Sequence, residues 1–230
     1  MPRPAADVQK DDSVSNVMAG LKTMFVTFFT KFPPRETFVV IMFLLFYRFP
    51  EALLNTMTKT FLMRPNSSGG LGLSPQEYGL VNGTVGLIGL LLGGIVGGLL
   101  VSRDGMKKWL WPMVWAISLP DIVYVYLSYV QPTSLMLVNT CVFIEQFGYG
   151  FGFTAYMLYL IYFSDGEFKT AHYSLCTAFM ALSMMLPGMV AGYLQEAVGY
   201  TNFFIFVMIC CLVTVFVTMM VKVDPEYGKK

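Results

Sequence analysis

The chain has 230 residues, 56% of them apolar and only 13% charged, with a net charge of +1. A soluble domain carries about 25% charged residues, and a charge facing lipid costs roughly 2.5–3.5 kcal/mol, so this deficit excludes an ordinary water-soluble domain. The near-neutral balance, with no compact basic patch, excludes a nucleic-acid partner.

Residues 1–14 are polar, mixed in charge and expected to be disordered. Over 15–32, Val17, Leu21, Met24, Phe25, Phe28 and Phe29 recur at helical spacing with Lys22 and Lys31 among them. That pattern predicts an amphipathic helix lying at the membrane surface, ended by Pro33 and Pro34. Residues 1–36 thus read as a cytoplasmic N-terminal segment with no cleavable signal peptide.

Six long apolar segments follow, at about 37–62, 76–101, 109–130, 133–163, 171–196 and 201–222. Each reaches the roughly 20 residues that span a bilayer. Continuous apolar runs, rather than alternating ones, predict helices and not barrel strands. The expected fold is therefore an all-α integral membrane protein, a six-helix transmembrane bundle over 37–222 with a short tail at 223–230. Lys and Arg placement orients it. Twelve of the fifteen lie in the N-terminal stretch, the 102–108 and 164–169 loops and the C-terminal tail, two (Lys59, Arg64) lie on the opposite side, and Arg48 is within a span. The excess of cytoplasmic positive charge puts both termini in the cytoplasm.

The second segment carries Gly79, Gly83, Gly86, Gly89, Gly93, Gly94, Gly97 and Gly98. A face without side chains permits close helix approach, and packing alone explains it. Four ionisable residues fall inside spans: Arg48 and Glu51 on the first, Asp121 on the third, Glu145 on the fourth. Intramembrane charges are costly and face a cavity or one another. Arg48 and Glu51, three apart, share a helix face and could pair, either as a structural ion pair or at a transport site. Pro50 between them predicts a kink, and a broken helix with a charge at the break is a feature of transport sites. Asp121 follows Pro120, at a second kink or as a local helix cap.

The fourth segment reads Glu145-Gln146-Phe147-Gly148-Tyr149-Gly150-Phe151-Gly152-Phe153-Thr154-Ala155-Tyr156. Glycines are expected to loosen this helix. Its aromatic faces and the Tyr149 and Tyr156 hydroxyls suit a sugar or ring-bearing ligand, with Glu145 and Gln146 adding polar contacts; an aromatic packing seam is the alternative. A carboxylate in a low-dielectric site is suited to taking up and releasing a proton. Cys141, Cys176, Cys210 and Cys211 lack the spacing of a zinc or disulfide framework, no metal-ligand cluster is evident, and no Ser/His/Asp arrangement accompanies the single histidine, His172. An enzyme is not expected. His172 reads as an interfacial residue, and the Met180, Met184, Met185, Met189 stripe as adaptable packing.

The second segment ends in Gly98-Leu-Leu-Val-Ser102-Arg103-Asp104-Gly105-Met106-Lys107-Lys108. This resembles the major facilitator loop motif G-x-x-x-D-R-x-G-[RK]-[RK]. Gly98, Arg103 and Gly105 match in place, and Lys107 and Lys108 match with a slip of one residue. Ser102 stands where that superfamily has Asp, with Asp104 close by. Three stretches are further similar to the AmpG-type muropeptide permease group: Phe46 through Glu51, Arg103 through Pro112, and Ile144 through Tyr162 continuing to Lys169 through Tyr173. The resemblance implies one half of a twelve-helix transporter, the C-terminal half, with 15–35 as the linker between halves. It implies proton-gradient-driven import of anhydro-muropeptides across the bacterial inner membrane with no bound cofactor. The intramembrane charges and the fourth-segment aromatics read above offer Arg48, Glu51, Asp121, Glu145, Gln146, Tyr149 and Tyr156 as candidate substrate or coupling residues. The implied partners are the lipid bilayer, a small-molecule or glycopeptide substrate, and an N-terminal six-helix half or a second copy. Carriage of another large anionic solute such as acetyl-CoA, or a role as an inactive scaffold, stays open.

Overall fold

The computed structural model describes residues 14–229. The expectation of disorder over 1–14, and the Arg3, Lys10 and Lys230 charges, therefore fall largely outside the described residues. Within them the chain is helical and contains no strand. Helix α1 is Val14–Thr30, α2 Pro34–Phe46 and α3 Phe49–Met63. Helix α4 is Pro75–Asp104 and α5 Met106–Val130; α6 is Leu135–Ser164. The last stretch, Lys169–Met220, is two helices, α7 (169–198) and α8 (200–220), divided by a kink at Gly199 (φ 77°, ψ 168°).

Four stretches are long and apolar enough to cross a membrane: Pro34–Met63, Pro75–Asp104, Met106–Val130 and Lys169–Met220. The last has 52 residues, about 78 Å at 1.5 Å per residue, more than twice a bilayer core of about 30 Å. The break at Gly199 divides it into two helices, each at least about as long as a bilayer core is thick. Helix α6 has 30 residues, but its glycines, tyrosines and Glu145 dilute its apolarity.

Two prolines set the irregularities. Pro50 cannot donate to the Phe46 carbonyl four residues back, and its ring crowds that carbonyl. Accordingly α2 ends at Phe46, and Arg48 leaves helical geometry at φ −101°, ψ 12°. The carbonyls at this break find side-chain donors: the Tyr156 hydroxyl reaches the Leu44 oxygen at 2.6 Å, and the Thr214 hydroxyl reaches the Tyr47 oxygen at 2.9 Å. Pro120 does the same to α5, which tightens into a 3₁₀ turn at Leu119–Asp121. At the other end of the chain's polarity, Ser74 opens α4 with a capping box, its hydroxyl accepting from Glu77 N while the Glu77 carboxylate accepts from Ser74 N at 2.8 Å, an arrangement that satisfies two orphan donors.

The glycine face behaves as a contact surface over half its length. A Cβ on Gly89, Gly93 or Gly97 would strike α6, that on Gly93 lying 2.1 Å from the Phe147 carbonyl oxygen. Gly150 answers from α6, with the Leu90 oxygen 2.1 Å from its would-be Cβ, and Gly148 and Gly152 admit α5 in the same way. So the glycines of α6 do not loosen it. The helix runs unbroken, and they let two neighbours approach its backbone. Gly79, Gly83 and Gly98 meet nothing within 4 Å. The methionine stripe divides: Met180 packs against a buried core, as expected, whereas Met185 and Met189 are exposed.

Buried apolar side chains form two separate cores. One gathers Phe28, Phe43, Tyr47, Met113, Tyr156, Phe163 and Val217 toward the end that holds α1 and the tail. The other gathers Leu53, Phe61, Tyr124, Val138, Tyr200 and Phe204 at the opposite end.

The tail does not simply leave the bundle. Met106 N donates to the Tyr227 carbonyl at 2.9 Å, the Tyr227 hydroxyl donates to the Leu158 carbonyl at 3.2 Å, and its ring packs edge-on against Tyr162. Beside it, Asp104 accepts from Arg103 at 3.1 Å and Trp109 Nε1 at 3.0 Å and pairs with Lys108 at 3.2 Å. The Arg103 and Trp109 hydrogen bonds hold this carboxyl down at about 2. Its folded value lies below the free value of 3.8, so the contact is complete above the free value and is lost as pH falls through the folded one. Trp109 is the reporter: its fluorescence is expected to change with a midpoint near pH 2, and a midpoint near 4 would show that the contact does not form.

Candidate functional site

The seam between the two cores holds the buried charges. Glu51 on α3, Asp121 at the α5 turn and Glu145 on α6 each offer a carboxylate oxygen, and the three oxygens lie within 4.8 Å of one another. All three side chains are almost wholly buried. In each helix the acid falls between residues of one core and residues of the other: Tyr47 and Leu53 flank Glu51, Ile117 and Tyr124 flank Asp121, Val142 and Phe151 flank Glu145. Residues 51, 121 and 145 are thus far apart in sequence and share one layer of the bundle. No cluster of possible metal ligands was evident from spacing alone, and the fold supplies one.

The hydrogen bonds leave the layer incompletely satisfied. Asn55 Nδ2 donates to Glu51 Oε1 at 2.7 Å. The Tyr124 hydroxyl donates to Glu145 Oε2 at 3.3 Å, and Gln146 Nε2 donates to both Glu145 oxygens at 3.1 and 3.0 Å. Asp121 has only the Cys211 thiol, at 3.8 Å from Oδ2. Glu51 Oε2 and Asp121 Oδ1 are buried without a donor. With their oxygens within 4.8 Å of one another, two ionised carboxylates repel by about 3 kcal/mol or more at an effective dielectric of 20. A proton or a cation placed among them relieves that repulsion and fills the two vacant oxygens.

Arg48 does not pair with Glu51. No ion pair joins them among the described residues, because the helix break between Phe46 and Phe49 cancels the three-residue spacing that would align them. Arg48 instead turns to α6, where Nη2 donates to the Tyr149 hydroxyl and the guanidinium carbon lies 4.5 Å from the Phe153 ring centroid. Asp121 is not a helix cap either; its side chain makes no capping bond. Tyr156 stands apart, its hydroxyl committed to Leu44 and its ring stacked on Tyr47. Gln146, Tyr149 and Phe153 share one partly exposed face of α6. Asn55, Tyr124 and Cys211 were not singled out from sequence. Asn55 had a usable signal, standing four residues from Glu51 on the same helix face; Tyr124 and Cys211 had none.

The loop-motif residues lie away from this layer. Arg103, Asp104 and Lys108 form the surface cluster around Trp109, and Gly105 takes φ +88° at the turn into α5. Lys107 is exposed, and Gly98 faces open space. His172 is buried, with Nε2 3.2 Å from the Thr27 hydroxyl of α1.

No family model matches the chain. Among curated proteins it is similar to a transporter named AmpG 1 from Rickettsia felis, 26% identical over 184 residues, covering 80% of this chain and 40% of that protein. It is similar to the anhydromuropeptide permease of Escherichia coli K12, 25% identical over 200 residues, 86% of this chain and 39% of the relative. A transporter named AmpG 4 from Rickettsia conorii is 24% identical over 212 residues, 92% of this chain and 50% of the relative. The chain spans half or less of the length of these relatives. Permeases and transporters of this kind are not enzymes.

Proposed function

We propose that this chain, an AmpG-like relative of the named permeases, forms part of a proton-coupled importer of anhydro-muropeptides in the bacterial inner membrane. Both termini then face the cytoplasm, and an N-terminal six-helix half or a second copy completes the transporter. The observation that carries the reading is the meeting of Glu51, Asp121 and Glu145 in one buried layer. A fold that only needed to span a membrane would not concentrate three acids there, because each is costly in that setting. A carrier that must hold and release a positive charge needs that concentration.

The half-buried face of Gln146, Tyr149 and Phe153 runs alongside the layer, and Gln146 bonds directly to Glu145. A ligand on that face would therefore be one residue from the coupling acid. Two half-buried aromatic rings suit the apolar face of a sugar, and Gln146 supplies amide hydrogen bonds. The test is uptake into membrane vesicles containing the assembled transporter. A pH gradient, acid outside, is expected to drive accumulation of radiolabelled anhydro-muropeptide, and a protonophore is expected to abolish it. Accumulation that persists with the protonophore sinks the proton-coupled reading.

A further inference from the structure

We infer that Glu51, Asp121 and Ser118 hold a sodium ion between α3 and α5, an assignment that rests on the transport reading and adds a second cation to it. Three polar atoms of this region are buried without a partner: Glu51 Oε2, Asp121 Oδ1 and Ser118 Oγ. Their side chains are only 2%, 2% and 3% exposed. A buried polar atom in this condition is unfavourable until a partner is supplied. All three are oxygens with free lone pairs, the donor type that hard cations take.

Ser118 points to the ion independently of the acids. It stands three residues before Asp121, where α5 tightens into the 3₁₀ turn Leu119–Asp121. Side chains three apart eclipse one another in 3₁₀ geometry, which turns the hydroxyl to the Asp121 side of the helix. Cys211 of α8 closes the same spot, its thiol 3.7 Å from the Ser118 carbonyl and 3.8 Å from Asp121 Oδ2. From α3 comes Glu51, with Oε1 taken by Asn55 and Oε2 vacant. Glu51 and Asp121 each place an oxygen within 4.8 Å of the other, so a cation midway stands at most about 2.4 Å from both, and a calcium-sized ion takes its oxygens at roughly 2.3–2.6 Å. Sodium has nearly the radius of calcium.

Charge selects between the two ions. Glu145 is placed differently from the other acids: Tyr124 and Gln146 donate to its oxygens. It needs no metal and is the acid that carries the coupling proton. Arg48 is the one buried lysine or arginine among the described residues, one turn from Glu51. With Arg48 and that proton, three negative charges are reduced to one. A monovalent cation closes the balance and a divalent one overshoots it, and a buried excess charge of either sign is costly. Carboxylates are strong-field ligands that favour the smaller alkali cation, sodium over potassium.

The test is equilibrium binding of radioactive sodium to the purified full chain in detergent, with choline chloride holding the ionic strength fixed so that surface charges are screened equally. Saturable binding of one ion per chain is expected, with unlabelled Na⁺ competing at least about tenfold better than K⁺ or Ca²⁺. Asp121→Asn is expected to abolish binding. Ser118→Ala is expected to weaken it by about tenfold, and it removes a single buried oxygen, which keeps the test available if Asp121→Asn does not fold. No saturable binding, equal competition by K⁺, stronger competition by Ca²⁺, or unchanged binding in either variant overturns the site. The measurement uses no gradient, so its outcome is separate from that of vesicle uptake. Absence of sodium binding with protonophore-sensitive uptake removes the sodium site and keeps the proton-coupled reading. Uptake that resists the protonophore removes that reading, while the sodium site still stands or falls on the binding measurement.

Discussion

Glu145→Gln is expected to abolish gradient-driven accumulation, by about 100-fold or more, while the protein is still made and inserted. Glutamine is close to glutamate in shape, and Tyr124 and Gln146 can still find an oxygen at that position. What is lost is the ability to gain and release a proton. Net accumulation requires the carrier to return empty and unprotonated. Exchange of labelled for unlabelled solute does not, because the loaded carrier crosses in both directions. Exchange is therefore expected to persist in Glu145→Gln while accumulation fails. A purely structural role for Glu145 would reduce both together, and that outcome would falsify its assignment to coupling. Removing one of three crowded acids also lowers the repulsion in the layer, by about 3 kcal/mol for each pair ionised at once. The variant is accordingly expected to melt at the same temperature as the wild type or above it, which separates its transport defect from misfolding.

The membrane class of the fold was legible from composition and from uninterrupted apolar runs. Those properties need no tertiary information, since the bilayer is the environment for every segment alike. The helix breaks were legible too, because Pro50 and Pro120 act on carbonyls four residues back whatever surrounds them. Convergence of the acids was not. Residues 51, 121 and 145 carry no distance information, and only the helix contacts allowed by Gly148 and Gly152 bring the α5 turn against α6. The Arg48–Glu51 pairing failed for an instructive reason. Three-residue spacing implies a shared face only on a continuous helix, and Pro50, visible in the same six residues, had already interrupted it. Tyr156 was ambiguous, because a hydroxyl among aromatics has the same appearance whether it meets a ligand or a backbone carbonyl. The break at Tyr47 and Arg48 leaves carbonyls in need of donors, and Tyr156 supplies one.

The relation between glycine and helix contact yields the second large effect. Gly93→Leu is expected to destabilise the chain by about 3 kcal/mol or more. A Cβ at residue 93 would lie 2.1 Å from the Phe147 carbonyl oxygen and 2.8 Å from Phe151 N. Both obstacles are backbone atoms of α6, so no rotamer change relieves the clash and the two helices must separate. The separation would also displace Glu145, which α6 carries two residues before Phe147. Gly98→Ala is the matched control on the same helix, five residues on, where a Cβ meets nothing within 4 Å. Alanine there is favoured over glycine by about 1 kcal/mol from helix propensity, so that variant is expected to melt slightly higher in detergent. The two substitutions thus have opposite signs although each adds side-chain volume to a glycine of one helix. Equal melting temperatures for both would show that α4 and α6 do not meet backbone to backbone at Gly93.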